Sequence, residues 1–180
     1  NNGVPREWIN STYWLTFDPE VKGKAWAVMS ANHDLPRPKM WRRTGVGNYK
    51  GGILTTDNAG KTWTPVSTPL GQAAFTHVLI DPSSKKDART LFACAFGKGV
   101  YKSVDGGKTW QLKNKGLEGA EPFAWRIIRR DTDGVLFLIV SRRSERGEIN
   151  TPEDGALYRS MDGGETWLKM KLPEGTNAPT

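Results

Sequence analysis

Two long polar stretches of the chain, residues 31–51 and 141–155, hold the side chains that could do chemistry. Paired carboxyl groups can supply the acid and the base or nucleophile of glycoside hydrolysis. A histidine beside an aspartate can act as an acid/base pair or as a metal-ligand pair. A solvated loop without a ligand is the alternative interpretation, and the residue pattern selects no carboxylate pair. The catalytic candidates in these stretches are His33, Asp34, Glu145 and Glu148.

The same two stretches are rich in arginine. Guanidinium groups bind carboxylates, sulfates and phosphates through two parallel hydrogen bonds, and a tryptophan face stacks on a sugar ring. Such a set of side chains favours an anionic glycan as the ligand, and steep weakening of binding by salt is expected. The predicted substrate-binding residues are Arg37, Trp41, Arg42, Arg43, Arg142, Arg143 and Arg146.

An eight-residue motif recurs outside these stretches. "SVDGGKTW", residues 103–110, returns as "SMDGGETW", residues 160–167, and in the variant "TTDNAGKTW", residues 55–63. Its glycines suit tight turns, its aspartate can accept backbone N–H groups, and its tryptophan can bury a large ring. Three copies about 50 residues apart indicate a repeated structural unit. The first turn is expected to be one residue wider than the others. The residues predicted to build these turns are Asp57, Trp63, Asp105, Trp110, Asp162 and Trp167.

Four strands, A to D, are predicted around each motif. Short apolar runs rich in β-branched and aromatic residues alternate with turn-forming residues, and each motif lies at the turn from C to D. His77, at the start of a strand A, is expected to satisfy a hydrogen bond. The predicted strands lie near 12–18, 76–81 and 124–129 for A, 24–30, 90–96 and 135–141 for B, 52–56, 99–103 and 156–160 for C, and 62–67, 109–114 and 166–171 for D.

Four-stranded antiparallel sheets that repeat at this period predict an all-β fold made of β-propeller blades. About three blades are expected, as a single partial propeller over residues 1–180. A closed propeller needs about four to eight blades, so further blades or a second copy must close the ring. The expected blades span residues 11–70, 75–117 and 123–172.

The repeated motif "SxDGGxTW" resembles the Asp-box, or BNR repeat, of sialidases, xyloglucanase-type glycoside hydrolases and sortilin-like receptors. The resemblance covers Thr56–Trp63, Ser103–Trp110 and Ser160–Trp167. It implies a β-propeller that is commonly extracellular or periplasmic, in which the boxes are structural and lie away from the active site. The arginine motif that sialidases carry before their first box is missing here, which argues against sialidase activity itself.

The two long stretches are predicted to lie at the same end of the blades. Strands alternate in direction, so all B–C loops lie opposite the C–D turns that carry the boxes. The B–C loop of the second blade is short, residues 97–99, whereas the first and third are residues 31–51 and 141–155. Long loops on a rigid scaffold commonly carry function. We therefore expect an arginine-walled trough over the second blade.

Composition narrows the classes of partner. The chain has 26 Lys+Arg against 19 Asp+Glu, a net charge of +7, which permits acidic partners without selecting one. No basic tail or basic helix indicates nucleic acid, and no apolar run is long enough to span a membrane. The single cysteine, Cys94, excludes an internal disulfide framework. No cofactor and no metal site is predicted.

The sequence thus predicts a secreted or periplasmic Asp-box propeller, of glycoside-hydrolase-like type, that binds a glycan at the B–C loop end. A non-catalytic propeller that binds a protein or a polysaccharide is the alternative. Two nearby carboxylates at that end would favour the enzyme, and a flat basic face would favour the scaffold.

Overall fold

The computed structural model of the protein describes residues 2–8, 11–31, 50–120, 122–141 and 155–173. Within these ranges the chain forms one short 3-10 helix, Arg6–Trp8, and strands grouped into three four-stranded antiparallel sheets. The all-β prediction is confirmed, and each sheet has the form of a propeller blade. No helix in the described ranges is long and apolar enough to cross a membrane.

Each blade is a simple up-and-down sheet whose strand order follows the chain. Blade one contains β1 (Ser11–Phe17), β2 (Ala25–Ser30), β3 (Gly51–Thr56) and β4 (Thr64–Val66). Blade two contains β5 (Phe75–Asp81), β6 (Thr90–Ala95), β7 (Gly99–Ser103) and β8 (Gln111–Leu112). Blade three contains β9 (Ala124–Arg129), β10 (Leu136–Val140), β11 (Ala156–Ser160) and β12 (Leu168–Lys169).

The first three strands of each blade lie where the sequence predicts them, but the fourth strands are shorter. β8 and β12 have only two residues each, against six predicted. Thr109 and Trp110, which were expected to open the fourth strand of blade two, belong instead to the box turn that precedes it. Because an outermost strand pairs with one neighbour only, little backbone hydrogen bonding is available to extend it.

Two apolar cores lie between successive blades. Trp26, Val28 and Ile53 of blade one pack with residues of blade two that include Phe75 and Trp110. Phe92, Cys94 and Val100 of blade two pack likewise with Ile127, Leu138 and Trp167 of blade three. The inner strands also follow one another, with β5 beside both β1 and β9. Burial of these apolar side chains therefore holds each blade against the next one along the chain, as in a propeller.

A buried ion pair joins blade one to blade two. Nε and Nη2 of Arg89 donate to the carboxylate of Asp18 at 2.8 Å, and Nη2 also donates to Glu20. Nη1 donates to the carbonyl oxygens of Pro82 and Ser84. The Arg89 and Asp18 side chains are each 1% exposed. With its N–H groups bonded in this way, the guanidinium anchors the end of the junction opposite the B–C loops.

Candidate functional site

The predicted catalytic and substrate-binding residues all fall outside the described ranges. These ranges leave out residues 32–49 and 142–154, and with them all but the ends of the two long B–C stretches. The roles assigned to these residues from the sequence remain predictions. The residues concerned are His33, Asp34, Arg37, Trp41, Arg42, Arg43, Arg142, Arg143, Glu145, Arg146 and Glu148.

The box turn of blade two is held by one aspartate and one serine. Asp105 Oδ1 accepts from the Ser103 hydroxyl at 2.8 Å and from the Thr109 backbone N–H at 2.9 Å. Its second oxygen accepts from the Thr109 hydroxyl at 2.6 Å, and Ser103 Oγ accepts from Gly107 N–H. Partial burial raises the pKa of Asp105, but these hydrogen bonds, led by those from Thr109, outweigh it and bring the pKa to about 2.

The box turn of blade three repeats this arrangement and reaches into the neighbouring blade. Asp162 accepts from Ser160 and from the backbone and hydroxyl of Thr166, which together hold the pKa of its carboxyl below the usual range. Trp167 is buried, and its Nε1 donates to the carbonyl of Lys113 in blade two at 2.8 Å. The carboxylates of these two boxes are engaged within their own turns, an arrangement suited to structure rather than to catalysis.

In the first box the central acceptor is Asn58, and the predicted role of Asp57 is wrong. Asn58 Oδ1 accepts from the Thr56 hydroxyl at 3.0 Å and from the Thr62 N–H at 2.9 Å, as Asp105 does in blade two. Asp57 forms an exposed ion pair with Lys24 instead. The expected wider turn is also wrong, because counting from Asn58 gives Thr56–Trp63 the same length as the other boxes.

A second set of side chains lies on the inner strands, near the end where the B–C loops begin. Each inner strand contains a bulge, at Tyr13, Thr76 and Trp125, where the register with its neighbour shifts. The residue after each bulge pairs close to the B–C end of the second strand. These three residues, the inner-strand trio, are Trp14, His77 and Arg126.

The inner-strand trio forms a contact cluster contributed by all three blades. The Trp14 and His77 ring centroids are 4.7 Å apart, and the Arg126 guanidinium carbon lies 4.1 Å from the Trp14 ring centroid. Trp14 Nε1 donates to Thr16 Oγ1, which donates to the carbonyl of Val78 in blade two at 2.6 Å. Trp14 nevertheless remains 37% exposed. Hydrogen bonding therefore fixes the indole while part of its surface stays accessible.

His77 is the buried member of the trio. It is 3% exposed, and its Nδ1 atom has no hydrogen-bond partner in the described part of the structure, so the expected hydrogen bond is not formed at that nitrogen. Burial, with a smaller contribution from the positive charge of Arg126, lowers the pKa of His77 to about 3. The imidazole is therefore neutral near pH 7 and lies as an uncharged ring against the tilted indole of Trp14.

The trio was not identified from the sequence, although a signal for it exists. Aligning the strand A segments "YWLTF", "THVLI" and "WRIIR" places Trp14, His77 and Arg126 in one column. Chemically the column offers an aromatic face beside a cation, which suits stacking and the binding of an anion. No group of three metal-ligating side chains occurs within the ranges that the structure describes.

Comparison with known proteins identifies the repeat. The family model described as "BNR/Asp-box repeat" matches residues 101–112, which include the whole second box, Ser103–Trp110. The photosystem II stability/assembly factor HCF136 of Cyanidioschyzon merolae is 26% identical over 176 residues, covering 93% of this chain and 36% of that protein. A xyloglucanase of Paenibacillus sp. is 25% identical over 198 residues, covering 94% of this chain and 18% of that protein. The chain thus spans about a third or less of these relatives.

Solved structures agree on the fold. An ancestral GH74 enzyme matches with a TM-score of 0.63 at 21% identity, over 89% of this chain and 20% of that one. YCF48 bound to a D1 peptide matches with a TM-score of 0.54 at 16% identity, over 90% of this chain and 41% of that one. At these identities the likeness concerns the fold alone. The chain therefore contains a BNR/Asp-box repeat, and its three sheets are β-propeller blades similar to those of GH74 enzymes and YCF48.

Proposed function

We propose that the chain is the glycan-binding part of a secreted, glycoside-hydrolase-like Asp-box propeller, with the ligand at the B–C loop end. The observation that carries the proposal is the inner-strand trio, which puts an accessible indole and a guanidinium at that end. The xyloglucanase relative supports a carbohydrate ligand by its name.

Each member of the trio has a separate part in the proposed binding. The exposed portion of Trp14 stacks on a sugar ring, and Arg126 pairs with a carboxylate or sulfate of the glycan. His77 stays neutral and holds the indole in place. The predicted binding residues of the B–C stretches, such as Arg42 and Arg142, would extend the same basic surface outward.

Binding and hydrolysis are separate parts of the proposal. The trio supplies an aromatic ring, a neutral imidazole and a guanidinium but no carboxylate, whereas glycoside hydrolysis uses two carboxyl groups about 5 to 10 Å apart. Hydrolysis would therefore depend on the catalytic candidates Asp34, Glu145 and Glu148. Glycan cleavage that survives Asp34→Asn, Glu145→Gln and Glu148→Gln would overturn that assignment and leave the binding proposal intact.

The binding proposal is tested by titrating the chain with acidic and neutral oligosaccharides at two ionic strengths. Trp14→Ala should weaken both classes, because stacking does not depend on ligand charge. Arg126→Gln should weaken the acidic class more and reduce the effect of salt. Lys85→Ala removes an exposed charge near the opposite end and is the matched control. Unchanged affinity in both variants, with folding intact, would overturn the proposal.

A second candidate is a non-catalytic propeller that binds a protein segment at the same end. YCF48 was solved bound to a D1 peptide, and the HCF136 relative is named as an assembly factor. An acidic peptide would pair with Arg126 but gain less from the indole than a sugar ring does. Tighter binding of acidic peptides than of any oligosaccharide, with Trp14→Ala having little effect, would favour this candidate.

A further inference from the structure

Each blade has an aromatic ring at the same position of its second strand. The three equivalent rings are Trp26, Phe92 and Phe137, which pair across the sheet with Thr16, Leu79 and Ile128. A cation lies over every one of them, Lys24 at 5.0 Å, Lys102 at 5.6 Å and Arg130 at 5.8 Å from the ring centroid. The ring position is thus repeated in the blades, and each ring has a cation, although the cations come from different strands or turns.

Within the chain, the next blade's box covers this ring with its second glycine. A Cβ atom built on Gly164 would lie 2.6 Å from Cε1 of Phe92, and one built on Gly107 would lie 3.7 Å from Nε1 of Trp26. Phe92 and Trp26 are 2% and 1% exposed as a result. A box turn docked on an aromatic ring is therefore the contact made at both internal junctions.

One ring and one box lack this contact among the described residues. Phe137 is only partly buried, and Ile128 beside it is 57% exposed. In the first box, the three atoms nearest to a Cβ built on Gly60 all belong to Trp63 of the same box, at 3.6 to 3.9 Å. Within the part of the chain that the structure describes, blade three thus has an accessible surface, here called the blade-three face and comprising Ile128, Phe137 and Arg159.

Charge specifies which box fits the blade-three face. At the junction of blades two and three, Lys102 and Lys113 both donate to Glu165, the sixth residue of its box. Arg159 takes the place of Lys102 in blade three, since it pairs with Phe137 as Lys102 pairs with Phe92. The sixth residue of the first box is Lys61. A second copy offering its own first box would therefore bring two cations together.

We propose that the blade-three face docks an Asp-box blade whose sixth box residue is acidic, and that Lys61 prevents copies of this chain from associating head to tail. The partner is a blade with the chemistry of the third box, in which the glycine lies on Phe137 and the acidic side chain pairs with Arg159. The docking proposal does not depend on the proposed glycan binding, because the glycan is assigned to the inner-strand trio and not to the blade-three face.

The proposal is tested by reversing the charge of the sixth residue of the first box in the full chain. Lys61→Glu gives that box the acidic residue of the third box, so head-to-tail association should tighten by about tenfold as repulsion becomes attraction. Sedimentation velocity over a concentration series measures this. Lys108→Glu is the matched control, because it makes the same charge change in a box that already lies in a junction.

Second-site changes locate the surface that the altered box binds. In the Lys61→Glu background, Phe137→Ala and Arg159→Glu should each return the chain to the weak association of the unaltered protein. Arg159→Glu alone should strengthen association, because the original Lys61 then meets an acidic residue. The proposal is wrong if Lys61→Glu associates no more tightly than Lys108→Glu, or if its association is indifferent to Phe137 and Arg159.

Discussion

At the scale of single residues, the third position of each box needs an acceptor, which can be a charged aspartate or a neutral asparagine. Asp105 and Asn58 accept equivalent hydrogen bonds, from a Ser or Thr hydroxyl two residues earlier and from a Thr N–H four residues later. In the first box the asparagine amide also donates to Thr62 Oγ1 at 2.8 Å, so the threonine hydroxyl accepts where its counterpart donates. The turn therefore tolerates either side chain.

This tolerance predicts different effects for two substitutions of Asp105. Asp105→Ala removes the acceptor for Ser103 and Thr109 and should destabilise the fold by about 1–3 kcal/mol, whereas Asp105→Asn keeps an acceptor, loses only the charge and should cost less. Urea unfolding at pH 7 measures the difference. Equal losses for the two variants would mean that the charge, and not the acceptor, holds the turn.

The same residue predicts a pH dependence. The folded-state pKa of Asp105 is about 2, against about 3.9 in an unfolded chain, so its stabilisation is present above about pH 4. It is lost as the pH falls from there through about 2. Asp105→Asn should flatten this part of the stability curve, and its unfolding free energy should approach that of the parent chain at the acid end.

His77 predicts a separate loss of stability at mildly acid pH. Its folded-state pKa is about 3, against about 6.5 in the unfolded chain, so acid favours the unfolded state. This contribution to stability is complete above about pH 6.5 and decreases from there toward about 3. His77→Phe should flatten the curve between pH 6 and 4 in chemical denaturation. NMR titration of His77 across that interval in the folded chain would contradict its burial as a neutral ring.

At the scale of strands and junctions, local patterns locate the elements but not the contacts between blades. The apolar runs and turn residues place all of β1–β3, β5–β7 and β9–β11 within two residues, because each run responds to its own neighbours in the chain. Arg89 and Asp18 are separated by 71 residues, and no local pattern marks them as partners.

Arg89 carries a prediction about the junction it anchors. Arg89→Met leaves the Asp18 carboxylate buried without its cation, which should destabilise the fold by about 3–5 kcal/mol. Lys86→Ala removes the exposed ion pair with Glu20 and should cost less than about 1 kcal/mol. Thermal and urea unfolding of the two variants provide the comparison, and similar small losses in both would show that the buried pair contributes little.

At the scale of the whole molecule, the boxes differ in how much of the fold depends on them. Gly164 and Gly60 both have positive φ, so alanine at either should cost about 1 kcal/mol in backbone strain. Gly164→Ala adds a clash with Phe92 and should cost about 2–4 kcal/mol in total, through separation of blades two and three. Equal costs in urea unfolding would show that the third box is not packed against blade two as described.

The position after each inner-strand bulge has a consequence for protein engineering. Trp, His and Arg occupy it in the three blades, so the same backbone accepts side chains of unrelated size and charge there. The bulge, and not the side chain, sets the direction in which that residue projects. Positions 14 and 126, whose side chains keep accessible surface, are thus suited to combinatorial libraries in which new recognition is selected, whereas the buried position 77 is better kept as histidine.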